Sequence, residues 1–104
     1  MVHVTVELWM WMGEELGENF QSLSHMRSML HTQVMEGTTV RELFSRLAEQ
    51  YSPIEDKVFR SCEMRFHPYV VTTLNHKVVS AGELYDRALK EGDTITVLPM
   101  YMGG

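Results

Sequence analysis

The sequence predicts an α+β fold in which one main helix lies across one face of a mixed β-sheet. Three patterns indicate this class: alternating apolar residues at the start of the chain, an apolar stripe with helical period in the middle, and a short apolar strand near the end. A chain of 104 residues is long enough for one domain with its own core. We therefore assign residues 1–104 to a single domain.

The first predicted strand has apolar residues at its even positions, which are Val2, Val4, Val6, Leu8, Met10 and Met12. Residues 13–24 are polar and interrupted by glycine, and residues 25–35 resume a strand pattern. This predicts a long hairpin with an insertion at about 13–33. If the even positions face the helix, Trp9 and Trp11 lie on the opposite face of the sheet, unless the hairpin folds over them.

The main helix is predicted by one apolar stripe, formed by Val40, Leu43, Phe44, Leu47, Ala48 and Tyr51. Thr39 and Glu42 have the spacing of a capping box at its start, and Ser52-Pro53 is expected to end it. Residues 54–67 mix charged and apolar residues without a clear period. That segment receives no assignment.

Three shorter elements complete the predicted fold. Residues 69–74 and 77–79 read as strands around the turn dipeptide Asn75-His76, and Gly92-Asp93 leads into a last strand over 94–98. Leu84, Tyr85 and Leu89 indicate a short helical or irregular element between them. With both terminal strands in the middle of the sheet, this order of elements is the β-grasp arrangement.

The sequence ends with two glycines, Gly103-Gly104, after the bulky residues Met100, Tyr101 and Met102. Glycine has no Cβ, so such a tail can pass through a narrow channel in a partner protein. Pro99 cannot donate a hydrogen bond to a sheet and is expected to release the strand into a flexible tail, residues 99–104, that reaches roughly 20 Å when extended. The Gly104 carboxylate is therefore the best candidate for a reactive group.

Composition excludes several classes of function. The net charge is −5, with 9 basic and 14 acidic residues, which argues against a nucleic-acid partner. Neither a targeting segment nor an apolar run long enough for a membrane span is found, and the lone Cys62 cannot form an internal disulfide. We expect a cytoplasmic protein.

Other possible chemistry is weaker. Cys62, Glu63 and His67 lie close in sequence, but no residue is evident that would orient a nucleophile pair, so we predict that the protein is not an enzyme. The five histidines lack metal-ligand spacing, and the nine methionines are spread over several elements. No metal site and no bound cofactor are therefore predicted.

Three features stand out in the last third of the chain: residues 75–80, the run from Leu89 to Pro99 with its Leu-x-x-Gly-Asp pattern, and Gly103-Gly104. Together they resemble the MoaD/ThiS family of ubiquitin-like sulfur carriers. The first strand and the helix agree only in kind. The match is better to MoaD, the small subunit of molybdopterin synthase, than to ThiS, because of the chain length and of Leu98-Pro99.

The resemblance implies a carrier chemistry. An E1-like adenylyltransferase of the MoeB/ThiF type would join the Gly104 carboxylate to AMP from ATP, and sulfur would then displace the AMP to leave a thiocarboxylate. Gly103 would be the flexible residue that precedes the reactive Gly104. The tail would insert into a large synthase subunit of the MoaE type and donate sulfur to the pterin precursor of molybdopterin.

The resemblance also implies a docking surface for these partners. The matching positions are Trp9 or Trp11 on the first strand, Val78 after the Asn turn, and Leu98 on the last strand. The tail residues Pro99, Met100, Tyr101 and Met102 would continue this surface into the partner's channel. Aromatic anchors with apolar neighbours are typical of interaction hot spots.

Two alternatives remain beside the leading interpretation. The protein could be a ubiquitin-like modifier that forms isopeptide conjugates, or an interaction module whose two glycines have no special role. Met102 stands where ubiquitin has an arginine before its glycines, which argues against a ubiquitin-type activating enzyme. Thiamine and thiolated tRNA are alternative acceptors of the sulfur.

Overall fold

The computed structural model describes residues 1–9, 21–24 and 27–99. Within these ranges, six strands form one mixed sheet in the order β2-β3-β1-β8-β6-β7. The strands are β1 (Val2–Leu8), β2 (Gln21–Ser24), β3 (Arg27–Val34), β6 (Val70–Leu74), β7 (Lys77–Val78) and β8 (Asp93–Pro99). The first and last strands along the chain, β1 and β8, pair in parallel in the middle of the sheet. The predicted β-grasp arrangement is thus confirmed.

The main helix α1 (Val40–Gln50) begins where the sequence predicts. The Thr39 hydroxyl accepts a hydrogen bond from the Glu42 backbone N–H at 3.2 Å, and the Glu42 carboxylate accepts one from the Thr39 backbone N–H at 3.1 Å. This reciprocal pair satisfies two N–H groups that the first helical turn leaves without partners. The helix buries the predicted stripe apart from Tyr51, which is half-buried.

The core lies between α1 and one face of the sheet. Val6, Leu8, Phe44, Ile95 and Val97 are all fully buried in one cluster. We call this side of the sheet the helix face and the opposite side the far face. Because side chains alternate along a strand, Thr5, Glu7 and Trp9 lie on the far face.

The chain from Ser52 to Phe66, which includes most of the unassigned segment 54–67, forms three short elements. These are α2 (Ser52–Lys57), β4 (Phe59–Arg60) and β5 (Arg65–Phe66), and β4 and β5 pair as a small antiparallel sheet of their own. Phe59 and Phe66 pack edge-to-face with ring centroids 5.2 Å apart, and Phe66 contacts Phe44 of α1. These aromatic contacts attach the hairpin to the main core.

The predicted β6–β7 hairpin is confirmed. Asn75 and His76 both have positive φ, 51° and 71°, as a two-residue turn of this type requires. The Asn75 side chain donates to Asp93 at 3.0 Å and accepts from the Thr94 backbone N–H at 2.8 Å. A short helix, α3 (Ala81–Leu84), follows the hairpin.

Three details differ from the sequence-based predictions. β1 ends at Leu8, and of the positions that would extend it through Met12, residues 10–12 lie outside the described residues. β2 falls in the segment interpreted as a polar turn. Pro99 is paired with Val70 as the last residue of β8, so the strand continues one position further than expected, in a pairing that needs no N–H from proline at its end.

Candidate functional site

The candidate site is the point at which β8 leads into the C-terminal tail. β8 lies between β1 and β6, and Pro99 is its last residue. The predicted tail residues Met100, Tyr101, Met102, Gly103 and Gly104 lie outside the described residues, as does Trp11. The structure therefore defines the base of the tail, which we call the tail root.

On the far face, the tail root is bordered by an aromatic and two aliphatic side chains. The Trp9 backbone N–H donates to the Val97 carbonyl at 2.8 Å, which continues the parallel pairing of β1 with β8 and places Trp9 beside Leu98. Leu98 in turn pairs with Val71 of β6. The indole of Trp9 is 40% exposed, and Leu98 and Val71 are half-buried.

Val78 belongs to the same face. It pairs with Thr73, which pairs with Thr96 of β8, so these three side chains form one row across the sheet. Val78 is 75% exposed. The sequence-predicted residues Trp9, Val78 and Leu98 thus share one face, although Val78 stands one row away from the other two.

A partly buried ion pair lies next to Trp9. The Glu7 side chain is only 5% exposed, and its carboxylate accepts a hydrogen bond from the Arg27 guanidinium. The guanidinium carbon of Arg27 stands 4.5 Å from the Trp9 ring centroid, in a cation–π arrangement. Arg27, paired with Glu7, therefore packs against the indole.

Sequence reasoning missed this pair. The alternating pattern of β1 assigns Glu7 to solvent, and Arg27 stands twenty residues away on another strand. One sequence signal was available. Glu7 is an acidic residue in an otherwise uncharged stretch, two residues before Trp9, and such a residue is unusual in a central strand.

The Cys62 thiol is exposed and is not oriented by His67. The His67 ring donates from Nε2 to the Glu55 carbonyl at 2.9 Å, and its Nδ1 faces Arg60 and the Tyr69 hydroxyl. Glu63 forms ion pairs with two arginines. Both groups that a nucleophilic cysteine would need are therefore engaged elsewhere.

In the part of the chain that the structure describes, no three His, Cys, Asp or Glu side chains are grouped so that they could hold a metal ion. No helix in those ranges is both long and apolar enough to cross a bilayer.

The fold and the exposed tail root define the class of this protein as ubiquitin-like, with the β-grasp arrangement. A family model matches residues 15–104, and the chain belongs to the ThiS family. No sequence among the curated proteins matches significantly.

Two solved structures illustrate the likeness of fold. Small archaeal modifier protein 1 of H. volcanii is 17% identical, with a TM-score of 0.67 over 97% of this chain and 100% of that one. A candidate molybdopterin converting factor subunit 1 from Pyrococcus furiosus is 20% identical, with a TM-score of 0.62 over 97% of this chain and 100% of that one. At these identities the likeness establishes the β-grasp fold alone.

Proposed function

We propose that this protein is a sulfur carrier whose Gly104 carboxylate is converted to a thiocarboxylate, and that the sulfur is donated in molybdopterin biosynthesis. The observation that supports this most is the match to the ThiS family, which runs to residue 104 and so includes Gly103 and Gly104. The fold agrees with this proposal, because β8 is a central strand of the sheet and ends at Pro99, four residues before Gly103.

The chemistry needs two steps, since a carboxylate is a poor electrophile. A carboxylate oxygen of Gly104 attacks the α-phosphorus of ATP, releases pyrophosphate and forms an acyl adenylate. Hydrosulfide then attacks the carbonyl carbon, AMP leaves, and loss of the proton gives the thiocarboxylate. The activating enzyme binds the ATP and supplies the catalytic groups, so the carrier provides the carboxylate and its access.

The role of this chain is accordingly to present a narrow tail from a fixed base. Gly103 and Gly104 lack side chains that would block an active-site channel. Met100, Tyr101 and Met102 would fill an apolar part of that channel, where adaptable side chains suit a partner surface. Pro99, held in the sheet by its pairing with Val70, fixes the direction in which the tail leaves.

The far face beside the tail root is the proposed docking surface. Trp9 and Leu98 lie together at the root, and Val78 extends the surface toward the β6–β7 hairpin. A partly exposed aromatic residue with aliphatic neighbours is typical of an interaction hot spot. Trp11 is proposed to join this surface.

We propose an E1-like adenylyltransferase of the MoeB/ThiF type as the first partner and a large subunit of the MoaE type as the second. ATP is consumed by the first partner, and the carrier itself holds no cofactor. The net charge of −5 favours partner surfaces that are basic overall. A cytoplasmic location, where ATP is available, agrees with this scheme.

The test is the intact mass of the purified protein after incubation with ATP, the activating enzyme of the same cell and a sulfide source. We expect a mass gain equal to the replacement of one oxygen by one sulfur. A variant that lacks Gly104 is the matched control and should show no gain. If a competent enzyme leaves the wild-type mass unchanged, the carrier function is wrong and the interaction module becomes the better hypothesis.

A second candidate function is that of a protein modifier, favoured by the likeness of fold to small archaeal modifier protein 1. It shares the adenylation step, but the acyl group is then transferred to a lysine amine and AMP leaves. The product is an isopeptide conjugate. The same mass experiment, run with cell extract in place of sulfide, separates the two, because only the modifier gives products of higher mass that depend on Gly104.

A further inference from the structure

A second surface reaches the tail root from beside the β4–β5 hairpin. It is a cleft of about 330 Å³ whose lining includes Arg60, Arg65, His67, Val70 and Tyr85. Val70 is the residue that pairs with Pro99 at the end of β8. The cleft, which we call the arginine cleft, is therefore next to the last described residue before the tail.

The two arginines of the cleft already bind a carboxylate. Glu63 places one oxygen 3.0 Å from Arg60 Nη1 and the other 3.1 Å from Arg65 Nη2. The hydrogen bond from Arg60, together with the charge of Arg65, holds the pKa of Glu63 below its usual value. Arg60 and Arg65 are thus positioned to bind a carboxylate, because each guanidinium holds its N–H donors in a fixed planar fork.

A buried histidine orients the first arginine. The Glu55 carbonyl can only accept a hydrogen bond, so the proton of His67 lies on Nε2 and Nδ1 is free to accept. Nδ1 receives the N–H of Arg60 Nε at 3.3 Å and faces the Tyr69 hydroxyl at 3.2 Å. His67 is 6% exposed, so this arrangement is built into the fold.

The cleft is also a concentration of positive charge on an acidic chain. Its Tyr85 ring stacks on Phe66 and has the guanidinium carbon of Arg41 at 4.7 Å from its centroid. Arg41 does not line the cleft and is paired with Asp86, whereas Arg60 and Arg65 line it and share one ion-paired carboxylate, that of Glu63. The two lining arginines and Glu63 leave one positive charge in excess, whereas the whole chain has a net charge of −5.

We propose that the arginine cleft is a docking site for an acidic side chain of the activating enzyme that receives the tail. Its position beside Pro99 makes it continuous with the tail root. The Arg65 side chain is 62% exposed and contacts Glu63 through Nη2, so a partner carboxylate can reach it while Glu63 keeps its orientation. The identity of the partner rests on the proposed carrier function, whereas the binding of acidic side chains does not.

The first experiment measures binding by the purified full chain. A ¹⁵N-labelled sample is titrated with a short acetylated polyglutamate peptide at low salt, with the matching polyglutamine peptide as a control, and inorganic phosphate in a separate arm. We expect shift changes at residues 60–67 and at Tyr85 with polyglutamate only, weakened by added NaCl. No changes there, equal changes with polyglutamine, or tighter binding of phosphate would each overturn the proposal.

Charge reversal at Arg65 is the matched variant, since an exposed side chain can be changed without loss of the fold. Arg65→Glu should abolish the polyglutamate response. Arg46→Glu reverses an exposed charge of α1, which does not line the cleft, and should preserve it. Equal responses of the two variants would overturn the assignment, and circular dichroism checks that both remain folded.

The second experiment measures adenylation by the activating enzyme of the same cell. Arg65→Glu should raise KM for the carrier about five- to tenfold with kcat unchanged, because the lost contact is made equally in the ground and transition states. Arg65→Lys should lie between this variant and wild type, and Arg46→Glu should match wild type. A KM that is unchanged in Arg65→Glu overturns the docking site. If the wild type is not adenylated at all, the carrier function fails and the peptide titration still decides the cleft.

Discussion

The two faces of the central sheet are buried by different chemistry, and neighbouring residues of β1 show the contrast. Leu8 is fully buried on the helix face among aliphatic and aromatic side chains. Glu7 is almost as well buried on the far face, next to Thr96 and close to Thr73. The helix face thus stabilises the fold through apolar contact, whereas the far face keeps polar groups at its centre and apolar groups near the tail.

The difference suggests that the two faces have different roles. An apolar far face would associate with many surfaces, because hydrophobic contact is not directional. A hydrogen-bonded carboxylate at its centre limits association to the rim, where Trp9, Leu98 and Val78 lie. We therefore expect changes on the helix face to affect stability and changes at the rim of the far face to affect binding.

The largest expected effect is that of Leu8→Ala on the helix face. It leaves a cavity among fully buried neighbours and should lower the free energy of unfolding by about 3–4 kcal/mol. Urea unfolding followed by circular dichroism measures this. A loss below about 1 kcal/mol would mean that the helix face is less tightly packed than the contrast requires.

Glu7→Gln, one residue earlier, should have a smaller effect. It keeps the shape of the side chain but removes the charge that pairs with Arg27, which is 41% exposed and so can be solvated in the variant. We expect a loss of about 1–2 kcal/mol at neutral pH in the same unfolding experiment. Trp9 fluorescence should also change, because Arg27 stacks on the indole. A stability equal to that of wild type would show that the pair does not contribute to the fold.

Val78→Asp, at the rim, should change the stability by less than about 0.5 kcal/mol, because the side chain is 75% exposed. Its expected effect is weaker binding to the activating enzyme, measured by isothermal titration calorimetry. Met35→Asp is the control, since Met35 is also an exposed apolar residue, at 66%, but follows β3 at the other end of the sheet. If both variants bind as wild type does, Val78 does not belong to the docking surface.

The smallest effect concerns a carboxylate at the exposed end of the far face. The Glu91 carboxylate accepts hydrogen bonds from the backbone N–H and from the side chain of His3. Both lower the pKa of the Glu91 carboxyl, and the backbone N–H has the larger effect. A lowered folded-state pKa gives stability that is present above the unfolded value, about 4.3 for glutamate, and is lost as the pH falls through the folded value. Glu91→Gln should therefore lose less stability than wild type on acidification below pH about 4. If the free energy of unfolding falls equally with pH in Glu91→Gln and in wild type, Glu91 does not make this contribution to stability.

The elements that the sequence predicted are those set by local signals. The stripe of α1 and its Thr39–Glu42 capping box involve residues within one or two helical turns, and the Asn75-His76 turn is similarly local. Most of residues 52–66 escaped prediction because their elements are two to six residues long, too short to show a period, and no clear turn signal marks them as Asn75-His76 marks β7. Their fold depends on the aromatic contact of Phe59 and Phe66 with Phe44, which no local pattern reveals.

The candidate site divides in the same way. That Trp9 lies opposite the helix followed from the two-residue period of β1, and Leu98 joined it because the terminal strands of a β-grasp sheet are neighbours. Glu7 and the arginine cleft depend on strands that are distant in sequence. The spacing of Arg60, Glu63 and Arg65 between two phenylalanines was visible, but only the hairpin shows that the three charges meet.

The parallel pairing of β1 with β8 also determines when the protein can fold. Contacts between residues about ninety positions apart form the centre of the sheet, so folding must wait until the ribosome has made β8. A nascent chain that stops before Asp93 lacks a central strand and cannot close its core. We therefore expect the sheet to assemble only after β8 has left the ribosome, and a chain halted before Asp93 to remain unfolded.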